Sequence, residues 1–440
     1  MNRMAQLFLI VIFSLLPIVS KSQERADSLL QNATLQDCVQ YALKHHPNVR
    51  QSLVNEQIAN EEIKSRLADW FPQINFNFNI QHTYQLPITI FEGSADQVGV
   101  SNTSSGLFSV TENIFSRDLL LASSTAGDIR EQAEQTTAGN KINVIVNVSK
   151  AYYSVLLTRN QLDLANEDVA RLEQGLKDSY NLYKGGVVAK TDYMQATIAL
   201  NNAKTDVRQD LEQLKTSYAS LEEQMGYPPK AEIQLNYDMT KMEDDIGADT
   251  SESLNYQNRI EYKLLQTQRR LAEANVRYSD WSFLPSLSAY GAYNLNYQNN
   301  LYSNLYNQNY PNSYVGLQLS FPIFEGGKRI EQIDEAESEL ELIDYVQSAL
   351  QNSINTEYTQ ALGNYKSNLN DFQVQKENVK MAKEVYDLIE HQYTSGIKTY
   401  LDVITAETNL RTTQTNYLNA LYQVLISKID LQKAFGTINY

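Results

Sequence analysis

The feature that most constrains this chain is that it is written twice. Tyr183-Lys-Gly-Gly186-Val-Val-Ala-Lys-Thr-Asp192 resembles Tyr393-Thr-Ser-Gly396-Ile-Lys-Thr-Tyr-Leu-Asp402, and the match runs on through Ala196 with Ala406 and Leu200 with Leu410. Leu221-Glu-Glu-Gln-Met-Gly226 matches Leu431-Gln-Lys-Ala-Phe-Gly436, and all these pairs are 210 residues apart. Trp70 and Trp281 are 211 apart, and Ile114-Phe115 and Ile323-Phe324 are 209 apart. So constant a register means two structural repeats. They occupy 23–226 and 253–440. Between them 227–252, opened by Tyr227-Pro228-Pro229, reads as an acidic, irregular linker.

Each repeat has the same order: helix, strand, loop, strand, very long helix, turn, helix. The chain has only 9 prolines and 17 glycines in 440 residues, so long uninterrupted elements are expected. The first long helix is predicted over 117–183 and the second over 327–393. A helix of that length spans about 100 Å. In the first, Val155, Leu162, Val169, Leu176 and Tyr183 recur every seven residues; in the second, Tyr358, Leu362, Tyr365, Leu369 and Phe372 step by 4-3-4-3. Both are narrow coiled-coil stripes. A stripe so long needs equally long neighbours, which points to an extended helical barrel or coil rather than a compact bundle.

The strands form hairpins at 72–115 and 285–324. In 72–84, Ile74, Phe76, Phe78 and Ile80 alternate with Asn75, Asn77, Asn79 and Gln81. In 286–297, Leu287, Ala289, Tyr293 and Leu295 face one way, and Ser286, Ser288, Asn294 and Asn296 the other. The returning strands are 107–115, where Glu112 interrupts the pattern, and 314–324, where Val315, Leu317, Leu319, Phe321 and Ile323 alternate with Gln318 and Ser320. The connecting loops, 85–106 and 298–313, are polar. Seven tyrosines fall between Tyr290 and Tyr314.

Composition removes several classes. With 36 Lys+Arg against 52 Asp+Glu, the net charge of −16 argues against a nucleic-acid binder. One cysteine excludes a disulfide framework and a Cys-based zinc cluster. Four histidines leave little for a His-rich metal site, and His45-His46 before Pro47 reads as surface or helix-capping. No nucleophile elbow, phosphate loop or other catalytic constellation is present, so no enzyme, cofactor or metal is expected. The N-terminus, 1–22, has Arg3, an apolar run over 7–16 and small residues at Ser20 and Ser22, the pattern of an export signal.

An exported chain without a membrane helix is either water-soluble or a membrane β-protein. Strands of about ten residues with apolar and amide faces suit a tilted crossing around a wet lumen. Ile74, Phe76, Phe78, Ile80, Leu287, Leu295, Leu317 and Leu319 would then face lipid. Four strands cannot close a barrel, whereas three chains would supply twelve. The alternative is a soluble four-stranded sheet with one face packed on helices, in a periplasmic coiled-coil protein that forms no pore.

The duplicated layout, the turns Gly186–Asp192 and Gly396–Asp402, the Asp-Trp-Phe-Pro stretch and Phe-Pro-Ile-Phe-Glu-Gly-Gly resemble the TolC-type outer-membrane efflux proteins. That resemblance covers about Leu35–Gly436 and implies a mainly α fold with β. A homotrimer would form a 12-stranded β-barrel in the outer membrane of a Gram-negative bacterium, continued by a periplasmic α-helical barrel. It implies an exit duct for an efflux or type I secretion system, with a periplasmic adaptor, an inner-membrane pump and outer-membrane lipid as partners. It places a periplasmic gate at Asp192, Tyr393, Lys398 and Asp402, and adaptor-docking tips at Gly185, Gly186, Val187, Gly396 and Ile397. A Lys398–Asp192 pair is the expected lock of the closed state.

Overall fold

The computed structural model describes residues 30, 32–91, 93–229, 233–236, 239–250 and 253–439. The expected export signal lies outside them. The first repeat opens with α1 (Leu35–His45) and α2 (Pro47–Leu67), separated where Pro47 starts a new helix and the His46 ring Nδ1 accepts the Asn48 N–H at 3.1 Å. The two histidines thus serve the bend. A short helical turn leads into β1 (Gln73–His82), and β4 (Asn102–Phe115) returns to the long α3 (Arg117–Lys184) and then α4 (Lys190–Met225). The second repeat repeats this with α6 (Ile260–Asp280), β5 (Ser286–Asn299), β6 (Asn312–Ser320), α7 (Lys328–Thr394) and α8 (Tyr400–Phe435). The two long helices, 68 and 67 residues, begin and end within one residue of the expected limits. No helix among the described residues is long and apolar enough to cross a membrane.

Two features differ from expectation. The loop 85–106 contains a small hairpin of its own, β2 (Ile88–Phe91) with β3 (Ser94–Gln97). The linker also contains α5 (Met239–Asp244), and much of it is packed rather than loose. Tyr227, Ile233 and Met242 are buried there in one core with Val148, Tyr152, Leu221 and Leu425. The Tyr152 hydroxyl donates to the Asn236 carbonyl at 3.1 Å, and the Tyr365 hydroxyl donates to the Ile246 carbonyl at 2.8 Å. This core straps the repeats together midway along the helices.

The main sheet has the order β1-β4-β5-β6, antiparallel throughout. Residues opposite one another share a face. Ile74 pairs with Val110, Phe76 with Phe108, Phe108 with Tyr293, Gly106 with Leu295, Leu287 with Leu319 and Ala289 with Leu317. All eight residues expected to face lipid therefore lie on one face. The other face carries Asn75, Asn77, Asn79, Ser109, Asn294, Asn296 and Gln318. Glu112 lies opposite Ala289 on the apolar face, near the strand's end, beside a bulge at Asn113/Phe115. No long helix covers the apolar face: Ile74, Phe76, Phe78, Ile80, Leu317 and Leu319 are exposed in the single chain. Leu287 and Leu295 are half-covered because β5 is internal, with side chains of both neighbouring strands beside it. A soluble sheet packed on helices is thus not what forms. Both outer strands, β1 and β6, keep an open edge.

Candidate gate at the helical tips

Both turns are built alike. At the end of α3 the Val187 N–H donates to the Leu182 carbonyl (2.9 Å) and the Gly186 N–H to the Tyr183 carbonyl (3.0 Å). At the end of α7 the Ile397 N–H donates to Gln392 (2.9 Å) and the Gly396 N–H to Tyr393 (2.9 Å). These are Schellman stops, which put a left-handed residue just past the helix. Gly186 and Gly396 both have φ of +74°, a conformation costly for any side chain with a Cβ. Gly185 has helical φ and ψ, and a Cβ there would meet its neighbours only at ordinary contact distances of 3.5 Å or more, so there the backbone does not demand glycine. Val187 and Ile397 end up 66% and 74% exposed at the extreme tip.

Within the single chain Lys398 does not pair with Asp192. Lys398 Nζ instead lies 3.6 Å from Asp402 Oδ1, four residues along its own chain. Asp402 also accepts from the Thr399 N–H (3.0 Å) and hydroxyl (2.8 Å), while the Asp402 N–H donates back to Thr399 Oγ1 at 3.4 Å. This capping box orients the carboxylate towards Lys398 and holds its pKa below the usual range, mainly through the Thr399 N–H and hydroxyl. Asp192 sits at the same position of the other turn, but the N-cap there is Ala189, whose side chain has no oxygen to offer; the Asp192 N–H donates to the Ala189 carbonyl at 3.2 Å and its carboxylate accepts a 3.3 Å contact from the Thr191 hydroxyl. Neither Thr191 nor Asp192 caps α4.

Tyr393 is not on an open surface. Its ring is buried beside Tyr400, at 5.5 Å between centroids, and its hydroxyl lies 3.3 Å from Ser179 Oγ on α3. Burial pushes its pKa up, so it stays a neutral hydrogen-bonding phenol. Tyr393 and Tyr400 thus bind the second hairpin to the first. Ser179 escaped notice in the sequence because the most buried line of α3 is Thr158, Ala165, Leu172 and Ser179, three residues ahead of the more apolar seven-residue step. Higher up, Asp168 and Arg171 of α3, Asp206 of α4, and Glu407 and Arg411 of α8 form an ionic layer that no motif announces.

This fold and these tips have relatives. The model of the outer membrane efflux protein family matches residues 38–227 and 256–437. The chain belongs to that family. Among curated relatives, the outer membrane protein TolC of Escherichia coli is 25% identical, over 97% of this chain and 87% of its own. The alkaline protease secretion protein AprF of Pseudomonas aeruginosa is 21% identical over 67% of this chain and 62% of its own. In fold, the chain matches CusC with a TM-score of 0.76 at 18% identity, over 92% of each chain. It matches VceC of Vibrio cholerae with 0.75 at 14% identity, over 91% of this chain and 96% of the other. As a member of the outer membrane efflux protein family, this chain is an outer-membrane channel protein with a long periplasmic helical part. Its open-edged sheet is the membrane portion and its two turns mark the far end.

Proposed function

We propose that three copies close the four-stranded sheets into one 12-stranded barrel, β6 of each copy pairing with β1 of the next, and the paired helices into a continuous α-barrel. The observation that carries this is the sheet itself: one uncovered apolar face, one amide-rich face and two open edges. In lipid every edge must be paired, so the sheet is stable there only when closed. A stripe on α7, Val374, Met381, Val385 and Leu388, repeats the demand below, since it is about half exposed in the single chain at coiled-coil spacing.

The trimer would be a passive exit duct. It performs no chemistry; an inner-membrane pump supplies the energy and a periplasmic adaptor meets the tips. Val187 and Ile397, held out by rigid Schellman turns, supply the apolar contact, with Gly185, Gly186 and Gly396 allowing close approach. Tyr393 holds the hairpins together when the tip is closed, and Asp192 leads a ring of negative charge that favours cations. Cysteines placed one on β1 and one on β6 should cross-link chains into a heat-sensitive trimer in outer-membrane fractions, and the purified protein should conduct in planar bilayers. A protein that stays monomeric in the membrane would refute the closed barrel.

A further inference from the structure

The ionic layer lies about 10–25 Å above the turns, counted along the helices. Arg411 Nε is 3.2 Å from Asp168 Oδ2 and its Nη2 is 2.5 Å from Asp206 Oδ2, so one guanidinium of α8 holds both helices of the first hairpin. Arg171 is committed to Asp168 on its own helix. Glu407, buried on α8, is left with Arg171 Nε at 3.7 Å, too long for a hydrogen bond, and its Oε1 has no hydrogen-bond partner.

We infer that Glu407 is a proton-operated latch between the two hairpins: protonated, it lets the hairpins pack, and ionised, it loosens them and favours opening of the tip. This rests on the reading of the protein as a duct that opens at its tip. The surroundings set the sign. From α3 the charges facing the site are Arg171, Asp168 and Asp178; from α7, Glu390, with Tyr386 and Tyr393 as neutral phenols. From α8 it is Arg411, with Tyr400 as another neutral phenol, and from α4, Asp206 and Asp210 through Arg411. Arg411 is held by Asp168 and Asp206, and Arg171 meets Asp168 through Nη2; the Arg171 Nε that remains, itself without a hydrogen-bond partner, stands 3.7 Å from Glu407 Oε1, so in the closed packing an ionised Glu407 meets its nearest donor only beyond hydrogen-bond reach. Burial therefore dominates and raises its pKa from 4.5 to about 7, with Glu390 adding to the rise and Arg171 and Arg411 opposing it.

A group whose pKa is raised by packing gives up that packing as pH rises through the raised value. The closed arrangement is thus favoured towards pH 5.5 and weakened at pH 8. A cavity of about 460 Å³ beside the layer, lined by Asp168, Glu407, Thr408 and Arg411, gives protons a route to the buried carboxyl.

The test is channel opening in planar bilayers from pH 5.5 to 8.5, with hydrogen exchange of 165–175 and 400–415 in detergent at the same pH values, corrected for intrinsic rates. Wild type is expected to open, and to exchange in these segments, at least about tenfold more readily at pH 8 than at pH 5.5. Glu407→Gln, which keeps the neutral shape, should be flat and resemble wild type at pH 5.5. If E407Q retains the wild-type pH response in exchange, the latch is wrong. A chain that shows the exchange response yet never conducts keeps the latch and refutes the duct.

Discussion

The two tip turns share an ancestor, a Schellman stop and an exposed apolar residue, yet they have become different devices. In the second, Thr399 builds a capping box, Lys398 sits on Asp402, and Tyr393 and Tyr400 are buried against the other hairpin. In the first, Ala189 replaces the capping threonine, Lys190 stands where Tyr400 does, and Tyr183 remains over a third exposed. There Tyr180 and Tyr193 pack at 5.3 Å on the surface with Lys184 over Tyr180. Duplication supplied two copies of one turn; divergence packed the tyrosines of one against the other hairpin and left those of the other at the surface. The electrostatic consequence follows: Asp402 is satisfied by Thr399 and Lys398, whereas Asp192 meets only the Thr191 hydroxyl, so in the proposed duct the less compensated negative charge of the tip would be that of Asp192.

The contrast can be broken at matched positions. The largest effect is expected at Tyr400, which is 2% exposed. Tyr400→Ala should cost the tip about 3–5 kcal/mol in local stability by hydrogen exchange, whereas Lys190→Ala should stay within about 0.5 kcal/mol. Equal costs would erase the distinction. Next, Thr399→Ala should lose about 1 kcal/mol and Ala189→Thr should gain a comparable amount at its own turn, read as slowed exchange over 190–196. Tyr393→Phe should cost about 1 kcal/mol by losing the Ser179 bond and raise closed-state conductance, while Tyr183→Phe should do neither.

Charge changes should be the mildest. Asp192→Asn should lower cation preference in bilayers more than Asp402→Asn. The depressed pKa of Asp402 makes its cap fully effective above the ordinary value of 3.8 and lost only as pH falls through the lower one. An acid titration of exchange at the second turn should therefore show no change between pH 7 and pH 5.

Much of the fold was legible because its signals are long. Helices of 67 and 68 residues survive any single ambiguous position, and Ile74 to Ile80 alternate without error. Even Glu112 did not end its strand, because its backbone stays paired opposite Ala289. The hairpin at 88–97 was lost in a polar loop because its strands are four residues each. At the tip, local chemistry competes with the repeat pattern. Lys398 has two acids available in the repeat pattern, and only the Thr399-x-x-Asp402 box, a local signal, favours the nearer one. The ionic layer depends on how α3 crosses α8, and that crossing is set by packing over the whole helix pair rather than by any short motif.

The open edges of the sheet carry a consequence for the order of events in making the molecule. Neither β1 nor β6 has a lysine, a proline or an acidic residue, the devices by which solitary sheets discourage unwanted pairing. A protomer whose sheet formed early would offer two adhesive strands to every other unfinished chain in the periplasm. The helices hold a well-packed core of their own, so they can be made first and wait. Barrel closure, subunit recruitment and entry into lipid then become a single late event, and the time spent before it, rather than the final stability of the duct, sets how much protein is lost to aggregation.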